Sequence, residues 1–143
     1  MKINIISFNN ALSLTEDIEM FSSVIKKLYK NTDIKYAYYN FQETTCYLAD
    51  INIFIGVISN FFFKYAPVNM YICDHHKLHN SWLGYLNKTD YILTKTESSK
   101  EIIQNIIPSG NIINIGWKTN DRFNNSIEKD YDSFLYVLGQ STY

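Results

Sequence analysis

The sequence predicts an α/β protein built on a doubly wound parallel sheet with helices on both faces. Short apolar segments alternate with helical patterns along most of the 143 residues, as they do in such sheets. The first segment, residues 2–7, is rich in isoleucine, as expected of a strand buried on both faces. A later apolar segment ends abruptly in Asp74, His75 and His76. These side chains would lie at the carboxyl edge of the sheet, where ligands bind in open α/β folds.

The first half of the chain contains three predicted strands and one helix. Residues 2–7, 34–39 and 51–57 are the strands, and the third ends near Gly56. Residues 16–29 form the helix, with acidic residues in the first turn and lysines in the last, which suits the helix dipole. The residues of its predicted buried face recur at helical spacing. They are Ile18, Phe21, Ser22, Ile25 and Leu28.

The second half continues the alternation. The predicted elements are a short helix over 61–65 that ends before Pro67, a strand ending at Cys73, a short helix over 81–86, a strand over 91–94, a helix that begins at Thr96, and a strand over 112–115. Thr96 is expected to cap its helix. A last predicted strand, residues 133–139, follows the polar segment 120–132, so we place a domain boundary in that segment.

The composition excludes several classes of protein. Hydrophobic residues make up 46% of the chain and charged residues 19%, which is typical of a globular protein. A net charge of −1 offers no basic excess for binding nucleic acid. No apolar run reaches the roughly 18 residues of a transmembrane helix, and the start of the chain does not resemble a signal peptide. Cys46 and Cys73 are expected to be free thiols in a reducing compartment, which predicts a cytoplasmic protein.

The segment Asp74-His75-His76 has three possible interpretations. Histidine titrates near neutral pH, so a catalytic or substrate-positioning role suits these residues. They could instead be solvated loop side chains. A zinc site is the least favoured, because adjacent histidines usually point in different directions and no second cluster of ligands occurs in the sequence. We therefore predict no metal.

Five further residues are candidate ligand contacts. Asn9 and Asn10 follow the first strand, where backbone N–H groups often hold phosphate, although a turn built on Asn side chains also explains them. Lys95 precedes the Thr96 cap and could contact a ligand. Asp121 and Arg122 could clamp a substrate or fix a loop between domains.

Two aromatic features also stand out. Trp117 is unusual in a connecting segment and is a further candidate substrate contact. Three successive aromatic residues, Phe61, Phe62 and Phe63, cannot all face one small core, so we expect part of this surface to form a homo-oligomer interface.

Several of these segments together resemble the N-terminal half of GT-B glycosyltransferases of the group 1 type. The resemblance spans residues 49–54, 68–76, 89–96 and 115–123. In that family one strand of this half ends in a histidine-containing segment, and the half closes with a glycine-containing segment ending in Arg-Phe. Residues 134–141 resemble the first strand of the C-terminal half.

This resemblance implies a Rossmann-like N-terminal domain over residues 1–123. Residues 124–143 would be the linker and first strand of a donor-binding domain that this sequence does not include. The implied activity is hexosyl transfer from a nucleotide-diphosphate sugar, acting as co-substrate, to an acceptor hydroxyl, with no other cofactor. His75 or His76 would orient the acceptor or the donor sugar, and Asp74 would fix the imidazole ring.

The resemblance also implies that this chain is inactive alone, since the other half supplies the basic residues for the donor diphosphate. The alternative is a non-catalytic Rossmann- or flavodoxin-like module for binding or protein interaction.

Overall fold

The computed structural model describes residues 1–8, 13–39 and 46–117. Six strands form one sheet, all of them parallel, in the order β2-β1-β3-β4-β5-β6. The strands are β1 (Lys2–Ser7), β2 (Asp33–Tyr38), β3 (Ile51–Ile55), β4 (Val68–Cys73), β5 (Tyr91–Thr94) and β6 (Ile112–Asn114). The parallel α/β prediction is therefore confirmed. The predicted strand over 133–139 lies outside the described residues.

Within the described residues, three α-helices and three 3-10 helices connect these strands. The α-helices are α1 (Ser13–Leu28), α2 (Leu83–Leu86) and α3 (Glu97–Ile106), and the 3-10 helices are Asn60–Tyr65, His75–Lys77 and Asn80–Trp82. Thr96 caps α3 as predicted, because its hydroxyl accepts a hydrogen bond from the Ser99 N–H at 3.1 Å. Leu28 was expected on the buried face of α1, but it is 70% exposed because it is the last residue of the helix.

Two apolar cores, one on each face of the sheet, confirm the doubly wound arrangement. On one face α1 packs its buried residues, such as Ile18, against isoleucines of β1 and β3. On the other face residues of α2, α3 and the 3-10 helix Asn60–Tyr65 pack against Phe54 and Tyr71. No helix in the described part of the chain is long and apolar enough to cross a membrane.

The three phenylalanines do not form one exposed surface. Phe62 is 4% exposed and belongs to the core, whereas Phe61 is 56% exposed and Phe63 is only partly covered. Phe62 is therefore packed in the core and is not available for the predicted interface. A homo-oligomer contact stays a prediction that rests on Phe61 and on the partly exposed Phe63.

A row of buried asparagines crosses the sheet on the face that is covered by α2, α3 and the 3-10 helix Asn60–Tyr65. Asn4, Asn52 and Asn69 occupy matching positions on β1, β3 and β4. Asn4 Nδ2 donates to Asn52 Oδ1 and Asn52 Nδ2 donates to Asn69 Oδ1, both at 2.9 Å. Asn52 Nδ2 also donates to the Phe62 carbonyl at 2.8 Å. Because an amide side chain can both donate and accept, this row fixes the register of three strands and links the adjacent 3-10 helix to the sheet.

Candidate active site

A cleft of about 560 Å³ opens at the carboxyl ends of β4 and β5. It is lined by Cys73, Asp74, His75, His76, Lys95, Thr96, Ser98, Ser99 and Ile102. The first four residues end or follow β4, and the others follow β5 or belong to the first turns of α3. Parallel strands present their carboxyl ends at one edge, so the fold brings four of the predicted site residues, Asp74, His75, His76 and Lys95, into a single cleft.

The Asp74 carboxylate caps the short 3-10 helix that carries the histidines. Asp74 Oδ1 accepts a hydrogen bond from the His76 N–H at 3.2 Å, and Asp74 Oδ2 lies 3.8 Å from Lys77 Nζ. The expectation that Asp74 fixes an imidazole ring is therefore wrong. An Asp in this position satisfies a free backbone N–H at the start of the turn, and this interaction engages Oδ1 with the backbone rather than with a ring.

The His75 ring is held by α3. His75 Nδ1 lies 2.8 Å from Ser99 Oγ, and Ser99 Oγ lies 2.9 Å from Thr96 Oγ1. Ser99 is 5% exposed, whereas Thr96 is exposed, so the buried end of this hydroxyl pair is the one that meets His75. No group in the described part of the chain hydrogen-bonds to His75 Nε2. Nε2 is therefore the ring nitrogen that remains for a ligand.

The two imidazoles are in contact rather than pointing apart. Their ring centroids lie 3.7 Å from each other with a 41° angle between the planes. Within residues 1–8, 13–39 and 46–117, no group of three or more His, Cys, Asp and Glu side chains is placed to hold a metal ion. The two rings thus lie side by side in the wall of the cleft.

Lys95 and Trp117 are close together but are engaged with the protein itself. Lys95 Nζ lies 2.7 Å from Asp17 Oδ2 of α1 and 4.5 Å from the centre of the Trp117 ring. The Trp117 ring stacks on Phe21, and the backbone N–H of Trp117 donates to the Lys95 carbonyl at 3.0 Å. Both residues therefore join α1 to the end of β5. The other predicted contacts, Asn9, Asn10, Asp121 and Arg122, lie outside the described residues.

Cys73 forms an uncharged part of the cleft wall. The side chain is fully buried, and desolvation, together with the nearby Asp74 charge, raises the pKa of the thiol to about 12. Thr94, its partner on β5, is also fully buried, and its hydroxyl has no hydrogen-bond partner among the described residues. The Cys73 part of the wall is therefore uncharged at physiological pH.

We expect native Cys73 to resist alkylation while Cys46 reacts. Iodoacetamide attacks the thiolate, and at pH 8.5 the buried Cys73 is protonated; burial raises the pKa of Cys46 as well, but this side chain is partly exposed. Peptide mass spectrometry after timed alkylation should find Cys46 modified at least about tenfold faster. The denatured chain is the control, in which both thiols should react alike. Equal alkylation rates of the two thiols in the native protein would contradict the assignment of Cys73 as a buried, protonated thiol.

The same raised pKa makes folding sensitive to alkaline pH. Unfolded cysteine ionises near pH 9.0, whereas folded Cys73 stays protonated up to about 12. Unfolding therefore releases a proton in this interval, and the free energy of unfolding should fall as the pH rises from about 9 to 12.

Comparison with family models, with curated proteins and with solved structures found no match to this chain.

The sequence did not predict that Ser99 and Asp17 contact two of the candidate site residues, His75 and Lys95. Ser99 follows the predicted cap Thr96 by three residues, a spacing at which a helix cap commonly contacts the chain. Asp17 lies 78 residues from its partner Lys95, and no local pattern signals that pairing.

Proposed function

We propose that this chain is the acceptor-binding half of a glycosyltransferase, and that an acceptor hydroxyl binds at His75 Nε2. The observation that carries this proposal is the cleft at the carboxyl ends of β4 and β5, in which the His75 ring is held through Nδ1 and Nε2 remains unpaired. The resemblance to the N-terminal half of group 1 GT-B enzymes supports the same assignment. Free thiols at Cys46 and Cys73 suit a protein of the cytoplasm.

The chemical groups of the cleft suit a sugar. A neutral imidazole exchanges hydrogen bonds with a hydroxyl and can accept its proton as the hydroxyl attacks. Ser98 adds a second polar group, and the exposed Ile102 offers an apolar surface for the C–H groups of a sugar ring. An acceptor positioned between these groups would meet the main requirement of the reaction, which is orientation of the attacking oxygen.

The charges of the cleft favour the acceptor role over the donor role. A nucleotide-diphosphate donor needs cations that neutralise the departing diphosphate. Lys95 is the lysine that lines the cleft, and its ammonium group is already paired with Asp17 at 2.7 Å. Strong electrostatic stabilisation of the leaving group would therefore come from a second domain, and we expect this chain alone to transfer sugar slowly or not at all.

A ligand-observed NMR screen of saccharides and nucleotide sugars against the full chain tests this proposal. We expect at least one saccharide to bind, and His75→Ala to weaken that binding about tenfold or more, equivalent to about 1.4 kcal/mol. His79→Ala is the matched control, because His79 is exposed and is not among the residues that line the cleft. Equal losses in both variants, or rapid sugar transfer by this chain alone, would contradict the acceptor assignment.

A second candidate, a non-catalytic flavodoxin-like binding module, is favoured by the strand order. The order β2-β1-β3-β4-β5 is that of flavodoxin-like sheets, in which the ligand binds where the order reverses, between β1 and β3. Chemical-shift changes on ligand binding separate the two candidates. Changes near Ile55 and Gly56 would favour the binding module, whereas changes near His75 and Ser99 would favour the glycosyltransferase.

A further inference from the structure

The hydroxyl of Ser99, a buried residue in the first turn of α3, bonds only to side chains. A buried serine in the middle of a helix can donate to the carbonyl one turn earlier, as Ser22 does to Ile18 at 2.6 Å. Ser99 instead bonds two side chains, His75 at 2.8 Å and Thr96 at 2.9 Å. Capping of α3 requires only the Ser99 N–H and Thr96 Oγ1. The Ser99 hydroxyl is therefore not needed for the cap and is available to act on His75.

We infer that Ser99 and Thr96 are positioning residues that form a reversible hydroxyl relay behind His75. Each hydroxyl can donate one hydrogen bond and accept two. The direction of both bonds can therefore reverse without any movement of heavy atoms, while the ring gives its Nε2 proton to solvent and takes one from solvent on Nδ1. The relay lets His75 present either a proton or a lone pair at Nε2. This inference concerns the cleft on which the proposed function rests, although it does not require that the ligand be a sugar.

In the first arrangement the protons point toward the imidazole. Thr96 Oγ1 accepts the Ser99 N–H and donates its own proton to Ser99 Oγ, which in turn donates to His75 Nδ1. The neutral ring then carries its proton on Nε2. His75 is a hydrogen-bond donor toward the cleft in this arrangement.

In the second arrangement both hydroxyls are reversed. His75 Nδ1–H donates to Ser99 Oγ, and the Ser99 hydroxyl donates to Thr96 Oγ1, which has a second lone pair for it. The neutral ring then has a lone pair on Nε2 and can accept a proton from a ligand hydroxyl. The resulting imidazolium keeps its Nδ1–H bond to Ser99, so the proton uptake requires no further change in the relay.

The tautomers of His75 in the ligand-free, full-length chain test this inference directly. Long-range ¹H–¹⁵N correlation spectra, recorded at a pH where the ring is neutral, give the ratio of protons on Nδ1 and Nε2. Ser99→Ala leaves Nδ1 without a partner, and an unpaired buried N–H is unfavourable. We expect the ratio to shift toward the Nε2–H form by about threefold or more, the effect of one hydrogen bond.

Thr96→Asp should shift the ratio in the opposite direction. An aspartate keeps the helix cap but only accepts hydrogen bonds, so the Ser99 hydroxyl would point to it and Ser99 Oγ would accept from Nδ1–H. Ser98→Ala is the matched control, since Ser98 also lines the cleft but is not part of the relay, and its ratio should equal that of the wild type.

An unchanged ratio in Ser99→Ala, or a shift of the same sign in both variants, would overturn the relay. Backbone ¹H–¹⁵N spectra of each variant verify that it is folded. Because no saccharide is present, this result is independent of the binding screen. The tautomer ratios can contradict the relay even if saccharide binding depends on His75. Conversely, they can support the relay even if no saccharide binds.

Discussion

Replacing Asn52 with alanine should lower the free energy of unfolding by about 3 to 5 kcal/mol, because three hydrogen bonds are lost at the centre of the asparagine row. The substitution removes the donor that satisfies Asn69 Oδ1 and the buried Phe62 carbonyl, and it also leaves a small cavity. Asn4 keeps its hydrogen bond to the Tyr47 carbonyl at 2.7 Å, so the unsatisfied polar groups lie mainly near β3 and β4.

Urea denaturation of the wild type and of this variant measures the effect. Asn105→Ala is the matched control, because Asn105 lies on the exposed side of α3 and its replacement should change stability by no more than about 0.5 kcal/mol. A loss below about 1 kcal/mol for Asn52→Ala would show that the asparagine row contributes little to stability.

Lys95→Met should lower the free energy of unfolding by about 1 to 3 kcal/mol. The Lys95 and Asp17 side chains are only 26% and 22% exposed, so the substitution leaves a partly buried carboxylate without its cation. The substitution also removes the cation that lies over the Trp117 ring, although the methionine side chain can still pack against that ring.

Lys100→Met is the matched control for this substitution. Lys100 pairs with Glu97 at 3.2 Å, but the two side chains are 38% and 59% exposed, and such surface pairs contribute about 0.5 kcal/mol or less. Thermal and urea unfolding of both variants should therefore separate the two ion pairs. If Lys95→Met keeps full stability but loses affinity for a saccharide, Lys95 is a ligand contact rather than a link between α1 and β5.

The elements of this fold could be predicted from the sequence because each depends on local properties. Short apolar segments such as residues 51–55 indicate strands, and the spacing of apolar residues in α1 indicates a helix with one buried face. Thr96 is a helix cap by residue type and position. The location of Asp74 and the two histidines at the carboxyl edge followed from the end of β4 alone.

The partners of these residues depended on the tertiary structure. His75 meets Ser99, Asn4 meets Asn52 and Lys95 meets Asp17, at separations of 24, 48 and 78 residues. Each of these contacts depends on strand order, register and the face on which a helix packs, and these are decided by burial of the whole core rather than by any local segment. The sequence by itself therefore determined which elements form and at which edge the site lies. Only the folded sheet decided that α3, rather than Asp74, holds the imidazole of His75.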